Sequence, residues 1–134
     1  MLHWHPGMST GVPELDYQHK ELIARFNDFS VCMSAGESEK RAQAGRILDF
    51  LQFYAQWHFR REEEFMRKYH CDAAEENRRA HAEFLERFGA FYEQWQTGGL
   101  DRALANDTFT TLMDWIFNHI QGVDARLNQF VTPP

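Results

Sequence analysis

Residues 14–34 read ELDYQHKELIARFNDFSVCMS. In this stretch Leu15, His19, Leu22, Phe26, Phe29 and Met33 recur every three or four residues. That spacing puts them on one face of an α-helix, as in the seam of a helix bundle. His19 stands where the pattern asks for an apolar residue. The same oddity recurs three times downstream, once in each of three further helical patterns.

The second pattern, predicted over about 39–69, turns Ile47, Leu51, Tyr54, His58, Glu62, Phe65 and Tyr69 inward. The third is expected to start at an Asp72 cap. Its stripe is Ala74, Asn77, His81, Phe84, Phe88, Phe91 and Trp95, and Thr97-Gly98-Gly99 ends it. The fourth, from 101 or 107 to 129, carries Leu112, Ile116, His119, Val123 and Leu127. Gly36 and Ser38 mark the first turn. The prolines are Pro6, Pro13, Pro133 and Pro134, so no helix breaker of that kind interrupts 14–132. Strand-like alternation is absent. Short loops between long helices imply antiparallel neighbours, hence an all-α, up-down-up-down four-helix bundle. Residues 1–13 are expected to form an N-terminal arm over the bundle of 14–130, and 131–134 a tail or the start of a linker.

The chain has 134 residues and a formal charge of -6, which suits one domain and argues against a nucleic-acid partner. No apolar run reaches the ~18–20 residues of a membrane span, and no secretory signal opens the chain. Cys32 and Cys71 lie outside any CxxC pattern and are expected to be reduced thiols of a cytoplasmic protein.

In the antiparallel topology His19, His58, His81 and His119 fall at similar depths from one end of the bundle. At ~1.5 Å per residue they agree within roughly two turns, so the four imidazoles can share a layer. Glu62 follows His58 by four residues and faces the same way. Asp124 follows His119 by five, an offset that a local helix distortion would bring round. Buried polar groups without partners cost several kcal/mol, and a metal centre is the simplest common partner. Four nitrogens and two carboxylates exceed the needs of one tetrahedral zinc. They fit two first-row metals bridged by Glu62 and Asp124. The Glu-x-x-His pattern of ferritin-like carboxylate proteins does not occur. Asp16 and Gln18 are candidates to accept imidazole N–H groups, with helix capping as the competing role for Asp16. Arg60, Arg61, Arg78 and Arg79 are expected to pair with neighbouring acids. His3, His5 and His70 are assigned no metal, and Trp4 and Trp57 only packing roles.

Four segments carry a resemblance: Gly11-Val-Pro-Glu-Leu-Asp-Tyr-Gln-His19-Lys-Glu-Leu, His58-Phe-Arg-Arg-Glu62-Glu-Glu-Phe-Met66, His81-Ala-Glu-Phe84 and Trp115-Ile-Phe-Asn-His119-Ile-Gln-Gly-Val-Asp124. In this order the chain resembles the hemerythrin family, specifically the bacterial hemerythrin-like domains. The resemblance implies two iron ions bridged by oxo or hydroxo, Glu62 and Asp124, with dioxygen or small anions as ligands. It places His19 and His58 on one iron, and His81 and His119 on the other. The family's His-x-x-x-His on the third helix reads Asn77-Arg-Arg-Ala-His81 here, so Asn77 stands where a fifth histidine is expected. Trp115, Ile116, Phe59 and Ile120 are expected to line an apolar dioxygen pocket.

A position that Asn77 leaves open to water or anions would speed oxidation of the centre. The leading expectation is therefore a dioxygen or redox sensor, the input module of a longer signalling protein with a C-terminal output domain, and not itself an enzyme. The alternatives are a stand-alone dioxygen carrier or iron-storage protein, and a diiron peroxidase- or nitric-oxide-handling protein.

Overall fold

The computed structural model describes residues 2–35, 38–98 and 102–131. Helix α1 spans Pro13–Ala35, α2 Ser38–Lys68, α3 Ala74–Thr97 and α4 Arg102–Gly122. A 3-10 turn over Asp124–Leu127 and a single helical turn, α5 (Asn128–Val131), follow. Each long helix packs on its two neighbours in the order α1, α2, α3, α4 and back to α1. This is the four-helix bundle that the spacing predicts, and no strand occurs among the described residues. Gly36, Gly99 and residues 132–134, on which the first and third turns and the tail were placed, lie outside the described residues.

The stripes on α1 and α3 fall where expected, from Leu15 to Met33 and from Asn77 to Phe91. The buried face of α2 is rotated from its predicted seam. Leu48, Leu51, Ala55, His58, Phe59, Glu62 and Met66 are buried, whereas Ile47, Tyr54, Phe65 and Tyr69 are half-exposed. The reason is that α2 carries aromatic residues on its outer side as well, Phe50, Phe53 and Trp57 with Tyr54 beside them, which pull the apparent stripe away from the buried face.

Helix ends show the expected backbone chemistry in places and depart from it in others. Gly98 closes α3 at φ 72°, its N–H reaching the carbonyls of Gln94 and Trp95. His70 closes α2 at φ 54°, unusual for a residue with a side chain. Cys71 N–H then bonds the Met66 carbonyl at 2.9 Å, which satisfies an orphan acceptor. Asp72 does not cap α3. Ala73 occupies that position without a side-chain bond, and the Asp72 carboxylate instead accepts from Arg126 at 3.0 Å. Glu75 and Glu76 in the first turn offset the lost cap through the helix dipole.

Helix α4 stops at Gly122, seven residues short of the predicted end. In a continuous α-helix the fifth residue after His119 would lie about 140° round the axis. The break at Val123 (φ -95°, ψ -53°) and the 3-10 winding after it turn Asp124 inward, where it is buried.

The segment before α1 lies across the bundle. Leu2 exchanges two hydrogen bonds with the Asn27 amide, and Asn128 donates to the Ser9 carbonyl. Met8 and Thr10 are fully buried. Asp16 holds this arm: its carboxylate accepts from the Thr10 N–H at 2.8 Å and from the Ser9 and Thr10 hydroxyls. That carboxylate is therefore committed to the arm and not to an imidazole.

Candidate metal centre

The interior holds two apolar clusters. One is rich in phenylalanine and includes Phe26, Phe29, Phe84, Phe88, Phe91 and Phe109. The other contains Val12, Leu15, Met66, Cys71, Ala73 and Leu127. A layer of buried polar side chains is set into this interior: His19, His58, Glu62, Asn77, His81, His119 and Asp124. No side chain in this layer exceeds 7% exposure, so its polar groups must satisfy one another or a bound ion.

The layer is built around Glu62. Its Oε2 lies 2.8 Å from His19 Nε2 and 3.4 Å from His58 Nε2. Its Oε1 lies 3.0 Å from His81 Nε2 and 2.9 Å from the Asn77 amide nitrogen. Asp124 divides in the same way, with Oδ2 3.3 Å from His19 Nε2 and Oδ1 3.1 Å from His119 Nε2. The imidazoles form two pairs, with ring centroids 4.6 Å apart for His19 and His58 and 5.2 Å for His81 and His119. Two groups of donor atoms result, each with all its atoms within 4.8 Å of one another: His19, His58 and Glu62, and Glu62, His81, His119 and Asp124.

The outer ring nitrogens set the tautomers. His58 Nδ1 donates to Gln18 Oε1 at 2.6 Å, and Gln18 in turn donates to Glu14. Arg61 clamps Glu14 with two bonds of 2.7 Å. His81 Nδ1 donates to Glu63 Oε2 at 2.9 Å. Both rings therefore turn Nε2 to the centre, the orientation that supports metal ligation once that nitrogen gives up any proton. Gln18 was a sequence candidate for this role. Glu63 was not, because the run Glu62-Glu63-Glu64 reads as a solvated face and nothing in its spacing distinguishes its middle member.

The donor set passes a test for fit to a cation. His81 Nε2 and Asp124 Oδ1 are buried without a hydrogen bond although each lies about 3 Å from an opposite group. Distances that short without hydrogen-bond angles indicate lone pairs converging on a common point. A buried cluster of imidazoles and carboxylates, with a cation taking the place of its protons, suits first-row transition metals.

In the metal-free chain, protons on two of the imidazoles stand in for a cation. Burial opposes charge on His19, but the Asp124 and Glu62 carboxylates outweigh it and raise its pKa to about 10. Burial is likewise outweighed at His81 by Glu62 and Glu63, giving about 9. At His58 burial prevails and, with the neighbouring His19 charge, lowers the pKa. Glu62 is held well below its ordinary value despite burial, by His19, His58 and His81.

A pH dependence follows for the metal-free protein. The unfolded chain releases the protons of His19 and His81 near 6.5, whereas the folded chain holds them to about 10 and about 9. Their stabilisation is complete below the unfolded value and is lost as pH climbs through 9 to 10. His58 acts in the opposite sense and costs stability as pH falls below 6.5. Chelator-treated protein is expected to melt highest near neutrality and several degrees lower at pH 10. A melting temperature that rises steadily from pH 7 to 10 contradicts these charges.

The expected pocket residues cover one half of the layer. Phe59 stacks on His81 at 3.8 Å and 10°, and Trp115 stacks on His119 at 5.0 Å and 8°. Phe84, not foreseen as part of the pocket, joins them, edge-on to Phe59 and stacked on Trp115. Ile116 and Ile120 are buried in the adjoining phenylalanine-rich cluster. Asn77 occupies the same half: Oδ1 accepts from His119 Nε2 at 2.6 Å, and Nδ2 lies 3.2 Å from Met66 Sδ. His3, His5 and His70 are exposed, and so is Trp57, for which packing alone was expected. Cys32 and Cys71 are buried free thiols. No helix among the described residues is long and apolar enough to cross a membrane.

A four-helix bundle whose interior gathers imidazoles and shared carboxylates from all four helices defines a class: non-haem proteins that hold a cation pair inside the bundle. Comparison with known proteins narrows that class. A family model described as the hemerythrin HHE cation binding domain matches residues 10–131. The chain is 30% identical over 138 residues to a bacteriohemerythrin of Stenotrophomonas maltophilia, covering 97% of this chain and 86% of that protein. A bacteriohemerythrin of Pseudomonas aeruginosa is 25% identical over 122 residues, with 91% and 76% covered. A crystal structure of wild-type hemerythrin superposes with a TM-score of 0.85 at 24% identity, covering 99% of both chains. The chain belongs to the hemerythrin family, and its domain is of the non-haem diiron kind.

Proposed function

We propose that His19 and His58 hold one iron and His81 and His119 the other. In this reading Glu62 and Asp124 bridge the pair together with an oxo or hydroxo group. The observation that carries it is the division of each carboxylate. One oxygen of Glu62 faces His19 and His58 and the other faces His81, while Asp124 spans His19 and His119. A diiron centre held here supplies iron redox chemistry and a binding position for dioxygen or small anions. The chain contributes the rest. Gln18 and Glu63 fix the tautomers of His58 and His81, and Phe59 and Trp115 shield the second imidazole pair from water.

Asn77 stands at the position of the missing histidine and leaves the His81 and His119 side one strong donor short. Its amide is a weaker donor than an imidazole, so this side exchanges ligands more readily. Such a centre oxidises too readily for dioxygen storage and suits a domain that reports dioxygen or redox state. A difference in coordination between its ferrous and ferric forms would bias the bundle, and through it an output domain in a cytoplasmic signalling protein.

The test is metal analysis with an optical spectrum of aerobic protein made in iron-replete medium. Two irons per chain, one for each donor group, with charge-transfer bands of a bridged diferric pair, are the expected result. Iron near zero in folded, iron-fed protein would refute the centre, and slow, fully reversible oxygenation would favour a carrier over a sensor.

A further inference from the structure

The outward face of α2 bears a second pattern that the metal centre does not use. Arg46, Phe50, Phe53, Trp57, Arg60 and Glu64 are all exposed, at intervals of four, three, four, three and four residues. Phe50 is 41% exposed, Phe53 77% and Trp57 44%, and they lie on the side of the helix away from Leu51, Ala55 and Glu62. Alternating steps of three and four are the spacing of a two-helix seam, here directed at solvent. Tyr54 buttresses it from the flank, stacked on Phe50 at 5.0 Å and lying 5.6 Å from Trp57. Phe50 and Trp57 are thereby held in place before any partner arrives, which lowers the entropic cost of docking.

We propose that this face is a docking seam for a second copy of the chain, the two α2 helices pairing antiparallel about a two-fold axis at the level of residue 55. The charge pattern selects that partner. In this register Phe53 meets Trp57 of the second copy, and Phe50 meets its Arg60 in a cation–π contact. Arg46 meets its Glu64, a carboxylate that Arg61 holds by one oxygen at 2.9 Å and that stays 54% exposed, so each layer pairs unlike and complementary groups. A register centred on Phe53 sets Arg46 against Arg60, and a parallel pairing sets Arg46 on Arg46. Both are repulsive. An isologous interface needs this kind of self-complementarity. The chain's formal charge of -6 disfavours an anionic lipid surface as the occupant. A seam of one helix from each copy lies at the small end of specific interfaces, so a dimer with a dissociation constant on the order of micromolar is expected.

Sedimentation velocity on the full chain over ~1–500 µM tests the proposal, a range that brackets such a constant. A dimer fraction that grows with concentration is expected. Phe53→Glu, an exposed change whose fold is checked by circular dichroism, should leave only monomer. Arg46→Glu should weaken the dimer about tenfold or more, roughly the worth of one close charge pair turned repulsive. Arg46→Glu with Glu64→Arg should restore it. A wild-type chain monomeric throughout, a dimer indifferent to Phe53→Glu, or a double swap no better than Arg46→Glu would each overturn it. So would a chain that stays monomeric but cosediments with vesicles.

Discussion

Replacing Glu62 by alanine is expected to abolish metal binding and to destabilise the fold. Among the described residues, Glu62 is the one member common to both groups of donor atoms. Without it, His19, His58, His81 and Asn77 lose their shared acceptor in a buried layer. Removing one partner of a buried charge pair typically costs about 3–5 kcal/mol. Iron should fall from two per chain to near zero, and the melting temperature of the metal-free variant should drop below that of the metal-free wild type. Glu62→Gln separates the two effects. It keeps the volume and one acceptor oxygen, so most of the fold stability should return while iron binding stays lost. Full iron loading of Glu62→Ala would show that the carboxylate is not a shared ligand.

The second large effect is expected at Asn77. The side chain is fully buried, its oxygen 2.6 Å from His119 Nε2 and its nitrogen 2.9 Å from Glu62. An imidazole at this position would add a strong donor to the His81 and His119 side. Asn77→His is therefore expected to slow autoxidation and to weaken binding of added azide by about tenfold or more. That is on the order of the changes that adjustments around a metal's ligands produce. Met66, whose sulfur lies 3.2 Å from the Asn77 amide nitrogen, must move to admit the larger ring. Stopped-flow oxidation and azide titration followed optically provide the measurement. Unchanged rates and affinity would remove Asn77 from any part in setting the reactivity.

Much of this is legible in the sequence, for a physical reason. On α1 and α3 one apolar stripe faces one core, so the period of the sequence reports burial directly, as Leu15 to Met33 and Asn77 to Phe91 show. A histidine on such a stripe is conspicuous, and Glu62 stands out because four residues from His58 is one turn. Helix α2 was harder. Its second, solvent-facing stripe of aromatics competes with the first in any periodicity count. Local signals failed where tertiary contacts override them. Asp72 has the chemistry of a cap, but Arg126, distant in sequence, claims its carboxylate. Glu63 looks like one of three solvated acids until α3 brings the His81 ring against it. The break after Gly122 is marked in the sequence only by the five-residue offset between His119 and Asp124, which the 3-10 winding brings round.

The central claim is that two irons sit on opposite sides of Glu62. Anomalous diffraction at the iron edge, on crystals of protein loaded with ferrous iron, tests it most directly. Two peaks are predicted, one among His19, His58 and Glu62 and one among Glu62, His81, His119 and Asp124. A single peak, or iron found anywhere but between these side chains, would contradict it.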